Sequence, residues 1–525
     1  MSTLVAVSVA QDSSSLDQTS ATAQSAGGDE RRSPLARLSR RFGRRSSLSP
    51  QERAVRRKAF RSGLPREVDP GMPWPKQILT SRLFWVGVLM LIVYAVLLVL
   101  LYLQVVPDRE VPGGTLIGLG EEAVPMAAKY AAITAIPLSL LFLWADRFKP
   151  QRLFVWLLAF GWGAAVATFI SAQVNTWAAS HLSIIGDGDP ATGARAAIYV
   201  APFVEEATKA TVLFWLVILM RYNWVSRVSG IALAGLAGAG FAFVENILYY
   251  GRVYRYAASN YGVEPEQALQ SLFIQRGVLT FFGHPLFTAM TGIGLAIAVR
   301  NKSKIVRVVA PLAGFLAAAF LHMAFNTVAT LVSGTQLLLI YLFVALPALA
   351  AMIIFIVRQL LGEGRKIRAR LTDYARLGWL PETDAVPMSR LRTRLRAIWQ
   401  SIFLGWRSVL ATFRVQRAET ELAYLRDSIA RGLVDDAGLR RERVLLARIR
   451  SARDAAVITP APKAAYGRLK EQLPFRRKSA PSYAPPSYPG PAGIGGNLPA
   501  PGAAPIGPAR TQYSKVDPNW KPPSE

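Results

Sequence analysis

Seven side chains carry the chemistry this sequence can offer, and all seven stand inside apolar stretches. Glu205, Glu206 and Lys209 lie in the run from about Ala196 to Met220, Glu245 in the next run, and His284, His322 and Asn326 in two later ones. A charged group at the bilayer centre costs on the order of 3 kcal/mol on insertion scales. A helix that only anchors a protein would not carry three of them. The chain has three histidines and no cysteine, so disulfides and thiolate metal sites are excluded. Two histidines and a carboxylate form a ligand set for a zinc-type divalent metal with an open water position, and a further glutamate can then act as general base. A metal-free arrangement is also open, in which Glu205 and a histidine activate water and His322 with Asn326 stabilises an oxyanion. Either arrangement hydrolyses an amide bond.

Spacing refines this picture. Glu205 and Lys209 are four residues apart and can pair along one helix face, and His322 and Asn326 share a face in the same way. Adjacent Glu205 and Glu206 point about 100° apart, so only one faces the centre of a site directly; Glu205 is expected to be that one. The small residues of Gly230–Gly240 permit close helix approach, which would bring Glu245 toward its partners. His181, at the end of a span, is expected at the interface, and Asn175 is expected to pack between helices.

The elements that must position these groups are membrane helices. Eight stretches, roughly 83–106, 126–144, 153–180, 196–220, 228–250, 277–299, 306–331 and 336–361, are long and apolar enough to cross a bilayer. The second contains Pro137, which a membrane helix tolerates. The fold class is therefore all-α, a polytopic bundle of about eight transmembrane helices. With the N-terminus inside, the short inner loops hold nine Lys/Arg against one acid, Asp146, while the outer loops hold six against eight acids. This asymmetry puts both termini in the cytoplasm. At 1.5 Å per residue, Glu205 and His322 then lie roughly 13 Å below the outer boundary, His284 about 10 Å and Glu245 about 8 Å. Groups from four helices share one layer in the outer half of the bilayer, although loop charge alone set the topology.

The two ends are polar and basic. Residues 1–82 hold 15 Lys/Arg against 7 Asp/Glu, and residues 358–525 hold 30 against 14, out of a net charge of +28. Basic ends flanking a membrane domain fit the anionic inner leaflet, with anionic lipid at the basic tails, better than a nucleic-acid groove. By composition, residues 1–82 form a disordered cytoplasmic arm, 83–361 the membrane domain, 362–457 basic amphipathic helices with a helical hairpin over 415–456, and 458–525 a disordered Pro/Gly/Ala-rich tail. Residues 388–413 mix Arg with Leu, Ile, Trp and Phe, as an interfacial helix or a packed soluble one would.

At the polar residues the sequence resembles the PrsW family of intramembrane metalloproteases, related to the type II CAAX prenyl endopeptidases. The Glu-Glu-x-x-Lys motif is Glu205-Glu206-Ala-Thr-Lys209, Phe-x-x-x-Glu-Asn is Phe241-Ala-Phe-Val-Glu245-Asn246, a histidine follows in Gly283-His284-Pro285, and His-x-x-x-Asn is His322-Met-Ala-Phe-Asn326. The resemblance runs over the membrane region, most fully residues 196–331. In the wider superfamily the second motif usually carries histidine where Glu245 stands, and arginine stands in place of Lys209. His284 is the candidate to supply what that histidine does elsewhere. The resemblance implies cleavage of a membrane-spanning protein in or near the bilayer, an anti-sigma factor being the family's substrate class, in a multi-pass protein of a bacterial plasma membrane. It implies Glu205 as general base supported by Glu206 and Lys209, with His284, His322 and Glu245 binding a metal, zinc by preference, or the water. Asn326 orients the substrate or stabilises an oxyanion.

Two other classes use the same residues: a transporter relaying protons or cations, and a membrane scaffold acting through its tails. No internal repeat supports the first, and the intact motifs oppose the second. Other hydrolase signatures fail. There is no His-Glu-x-x-His motif, and Gly186-Asp-Gly-Asp189, which has the form of a presenilin-type motif, falls in an outer loop.

Overall fold

The computed structural model describes residues 73–461, apart from residues 112–113, 149–150, 183–193, 222–223, 225, 260–263 and 435. The Arg-rich arm, the Gly186–Asp189 loop and the Pro-rich tail beyond residue 461 lie outside the described residues. Within them the chain is a bundle of helices, and the single sheet is a two-stranded antiparallel hairpin, Arg109–Val111 against Gly114–Leu116, in a loop for which no strand was expected.

In chain order the helices are α1 (Trp74–Leu79), α2 (Arg82–Val105), α3 (Ala123–Ala145), α4 (Leu153–Gly161), α5 (Thr168–Leu182), α6 (Ala201–Met220) and α7 (Arg227–Ala258). They continue with α8 (Pro265–Phe273), α9 (Gly283–Val299), α10 (Lys304–Leu331), α11 (Gly334–Ile340), α12 (Leu346–Arg376), α13 (Ala385–Ser389), α14 (Leu391–Phe403), α15 (Trp406–Ala430) and α16 (Asp436–Arg453). Wider π-helical turns join or precede several of them: Trp162–Ala167 between α4 and α5, Ala196–Val200 before α6, Ile274–Leu279 after α8 and Tyr341–Ala345 before α12. Such turns recur at functional sites because they displace a side chain from the regular helical ladder.

Seven helical stretches among the described residues are long and apolar enough to cross a membrane, against the eight expected from hydropathy. The difference is α6. It is helical over 20 residues as expected, but Glu205, Glu206 and Lys209 put three charges into it. The chain is an integral, multi-pass membrane protein. Its outward faces are apolar, with Leu91, Leu103, Ile218, Val308 and Phe343 exposed, as a lipid-facing surface requires.

The core sits around α7. Residues Val228 to Phe241 of this helix are buried without interruption, because Gly and Ala let neighbouring helices approach its backbone. A Cβ placed on Gly240 would stand 2.0 Å from the carbonyl oxygen of Phe160 on α4. That crossing exists only with glycine. On the other side, a Cβ on Gly238 would stand 2.8 Å from the carbonyl oxygen of His284 on α9. The same strip therefore sets how near α9 and its histidine come to α7.

At the end of the bundle that loop charge assigns to the cytoplasm, α12 continues past the apolar stretch and packs with α13 to α16. The seam is made of Ile367, Leu371, Tyr374, Leu422, Leu425, Leu445 and Ile449, all buried. Arg394 of α14 ties this layer to the α3–α4 loop, donating to the carbonyl of Phe148 at 3.3 Å and to Thr420 at 2.8 Å. Beyond it, Leu395, Trp399, Ile402, Phe403, Trp406 and Phe413 stay exposed across the α14–α15 elbow.

Candidate active site

α6 presents Glu205, Glu206 and Lys209 to the bundle interior. Pro202 opens this helix after the wide turn Ala196–Val200, a position where its missing N–H costs nothing. Lys209 and Glu206 are completely buried, and Glu205 nearly so. The Lys209 ammonium lies 2.9 Å from Glu206 Oε1 and 3.5 Å from Glu205 Oε2, and 3.8 Å above the ring of Phe241. It also donates to His284 Nδ1 at 3.0 Å. An ammonium has no acceptor, so Nδ1 must be the accepting nitrogen, and His284 Nε2–H then donates to Glu245 Oε2 at 2.7 Å. Arg276, from the wide turn after α8, closes the chain: its Nη2 donates to Glu245 Oε2 at 2.6 Å and its Nε to Asn246 Oδ1 at 3.0 Å.

The two carboxylates of the adjacent pair are used differently. Glu206 is saturated: Lys209 holds one oxygen, and Thr288 Oγ1 of α9 donates to the other at 2.8 Å. Glu205 accepts from Asn175 Nδ2 of α5 at 3.2 Å through Oε1, whereas its Oε2 is buried without a hydrogen-bond partner. That free oxygen lies 3.8 Å from His322 Nε2. His322 Nδ1 comes within 3.3 Å of Glu206 Oε1 but lacks hydrogen-bonding geometry and is likewise unpartnered. The His322 ring stacks on Phe287 at 5.1 Å and meets His284 edge-on at 5.0 Å.

Glu205, His284 and His322 each offer one ligand atom, and these three atoms lie within 4.8 Å of one another. Two imidazoles and a carboxylate, with orphaned buried atoms on Glu205 and His322, fit a divalent cation. Glu245 stands behind His284, in the position of an outer carboxylate that orients a histidine. Asn326, one turn from His322, gives its Nδ2 to the carbonyl of Ala197 at 2.8 Å, so its amide ties α10 to the turn before α6. His181 stays exposed, with Nδ1 2.8 Å from the Trp177 carbonyl of its own helix.

Three members of the site come from outside the seven motif residues, and one of them, Asn175, expected only to pack between helices, donates to Glu205 instead. Asn175 carries no signal beyond being polar in a span. Thr288 is one of many span threonines. Arg276 stands in what hydropathy assigns to an outer loop, yet three in-span carboxylates facing a single in-span lysine leave a cation to be found. The helical run from Pro265 puts Arg276 within reach of Glu245.

No curated protein and no solved structure matches the chain. A family model does: residues 149–352 match the PrsW family intramembrane metalloprotease. That stretch contains all seven of the residues singled out by spacing, together with Asn175, Arg276 and Thr288. Over residues 149–352 this membrane protein thus matches the PrsW family intramembrane metalloproteases, and the match supports a membrane-embedded protease whose substrates are membrane proteins.

Proposed function

We propose that the chain hydrolyses peptide bonds of membrane-spanning proteins with a water activated by Glu205 beside a divalent metal, zinc by preference. The observation that carries this reading is the buried convergence of Glu205, His284 and His322 within 4.8 Å. His284 and His322 would hold the metal, with the Glu205 carboxylate close enough to meet the metal through one oxygen or its water, and the metal would supply Lewis acidity toward a carbonyl or a water. Glu205 takes the water's proton through Oε2, the buried carboxylate oxygen of α6 that lacks a hydrogen bond, with Lys209 only in ion-pair range at 3.5 Å. Asn175 keeps the other oxygen engaged and so fixes the direction of the free one. Glu206 and Lys209 neutralise each other in place. The Glu245–Arg276 pair holds His284 in the tautomer whose Nδ1 lone pair faces Lys209, so that nitrogen would reach a metal once the ammonium turns back to its two carboxylates. Asn326 enters as a clamp on the entrance to α6, a structural part in place of the oxyanion role its spacing suggests.

The resemblance makes a single-span anti-sigma factor of a bacterial plasma membrane the first substrate to try, with the basic tails lying on anionic lipid. In proteoliposomes, wild type should release a cleaved fragment from such a substrate. Glu205→Gln should lose cleavage while keeping its metal, and His322→Ala should lose both. Identical accumulation of intact substrate with wild type and Glu205→Gln would remove the protease reading; loss of metal in Glu205→Gln would make Glu205 a ligand and move the base elsewhere.

A further inference from the structure

We infer that the inner end of the bundle holds a second binding site, for a phosphate group that carries or adjoins a hydroxyl, as in the head group of an anionic phospholipid or a soluble phosphate ester. A cavity of about 410 Å³ opens there between α7, α9, α12 and the end of α15. Arg227, Arg300, Lys366 and Arg431 line it, with Glu363 as the one carboxylate among the described residues of its wall.

The charges lining and backing this wall lean positive. Asp427, which is buried, lies 2.7 Å from Arg300 Nη2, 3.1 Å from Arg431 Nε, 3.5 Å from Arg370 Nη2 and 3.8 Å from Lys366 Nζ. Arg370 has a second carboxylate, Asp373, at 3.2 Å. Arg300, Arg431 and Lys366 all come within 3.8 Å of Asp427, and Arg227 adds a fourth lining charge. Cations gathered around one aspartate repel one another, and an anion in the cavity relieves that repulsion. Phosphate suits it because guanidinium groups meet its oxygens in pairs.

Glu363 narrows the ligand further. Its side chain is buried at 8% exposure, and its Oε1 has no hydrogen-bond partner. Burial pushes this carboxyl up to about 7, and in its ionised form above that pH it repels an anion that offers only acceptors and favours one that also donates. The glycerol hydroxyl of phosphatidylglycerol or the P–OH of a phosphate monoester meets that demand. The level of the cavity also fits a lipid: Arg227 is the first residue of α7, Arg300 follows the last residue of α9, and Lys366 lies just past the apolar part of α12. Basic pockets between membrane helices at this level suit phospholipid head groups.

The test uses the full chain in detergent, titrated with phosphatidylglycerol, phosphatidylcholine, phosphatidylmethanol (an anionic head group without a hydroxyl) and soluble glycerol 3-phosphate, read by native mass spectrometry. Wild type should retain phosphatidylglycerol at least about tenfold more tightly than phosphatidylcholine. The triple variant Arg227→Gln/Lys366→Gln/Arg431→Gln should lose about tenfold of that affinity. A control, Arg392→Gln/Arg407→Gln/Arg414→Gln, removes equal charge from exposed positions and should leave it unchanged. If the triple variant does not fold, Arg227→Gln alone, at an exposed helix start, gives the same reading with a smaller shift. Glu363→Gln should narrow the preference for phosphatidylglycerol over phosphatidylmethanol. Glycerol 3-phosphate bound by wild type and lost in the pocket variant, with no lipid selectivity, assigns the site to a soluble ester. Equal binding by wild type and pocket variant, or equal loss in pocket and control variants, overturns the site.

Discussion

The protein holds two clusters of charge, one deep in the bundle and one where α12 leaves its apolar stretch, and they lean in opposite directions. In the first, Glu205, Glu206 and Glu245 face two cations, Lys209 and Arg276. In the second, Asp427 and Asp373 face Arg300, Lys366, Arg370 and Arg431. Both rely on multiply shared partners. The surplus differs. A carboxylate remainder beside two imidazoles makes a place for a cation, and a guanidinium and ammonium remainder beside a cavity makes a place for an anion. A buried cluster is therefore informative through the sign of what it leaves over, more than through the number of ion pairs it contains.

The sharpest way to break this comparison is Glu205→Gln, which keeps shape but removes the free carboxylate oxygen. Loss of a positioned general base costs roughly 10²–10⁴ in rate, read as fragment release in proteoliposomes. Cleavage within a factor of about two of wild type, against that expected loss, would mean the negative remainder does no chemistry. Next is Lys209→Met, which leaves Glu206 buried without its ammonium. Removing one partner of a buried pair costs about 3–5 kcal/mol, measured as unfolding in detergent, and Glu206→Gln/Lys209→Met should recover much of it. If the double variant is no more stable than the single, the pair is not the source of the loss.

The inner cluster responds to pH in a predictable direction. Burial pushes the Asp427 carboxyl up, but Lys366, Arg431, Arg300 and Arg370 together hold it below its ordinary 3.8. A carboxyl depressed by folding contributes stability above its unfolded value, and that contribution fades as pH falls through the folded value. Asp427→Asn should cost on the order of 1–3 kcal/mol at pH 7, and the gap to wild type should close below pH 3.8. A gap unchanged in acid would sink the assignment. The smallest effect should come from Thr288→Val, which removes one hydrogen bond to Glu206 for about 1 kcal/mol. A drop in cleavage larger than the drop in stability would show that Glu206 acts in the chemistry as well as in the fold.

Much of the bundle was legible in the sequence because lipid imposes two simple demands, apolar length and internal backbone bonding. The motif residues were legible because each intramembrane charge is costly enough to stand out. Partners that arrive from other helices were not. Nothing in the spacing of Asn175 or Thr288 says which carboxylate each will meet, since a helix crossing angle decides it. Arg276 was hidden by a boundary: hydropathy ends the span near Gly277, whereas the helical run starts well before it, at Pro265. The three charges of α6 likewise made the same stretch readable by its chemistry and marginal by its hydropathy.

The glycine strip of α7 has a mechanical consequence. A helix whose backbone touches the carbonyls of its neighbours cannot rotate or slide without driving a Cβ or an oxygen into one of them. α7 is the stator of this machine, and Glu245 hangs from it at a fixed height. Any motion that admits a substrate helix has to come from the elements around it; α10 is locked to α9 in the same way through Gly294 and Gly314, which leaves α2, with its largely exposed apolar flank, as the element least held by backbone contacts.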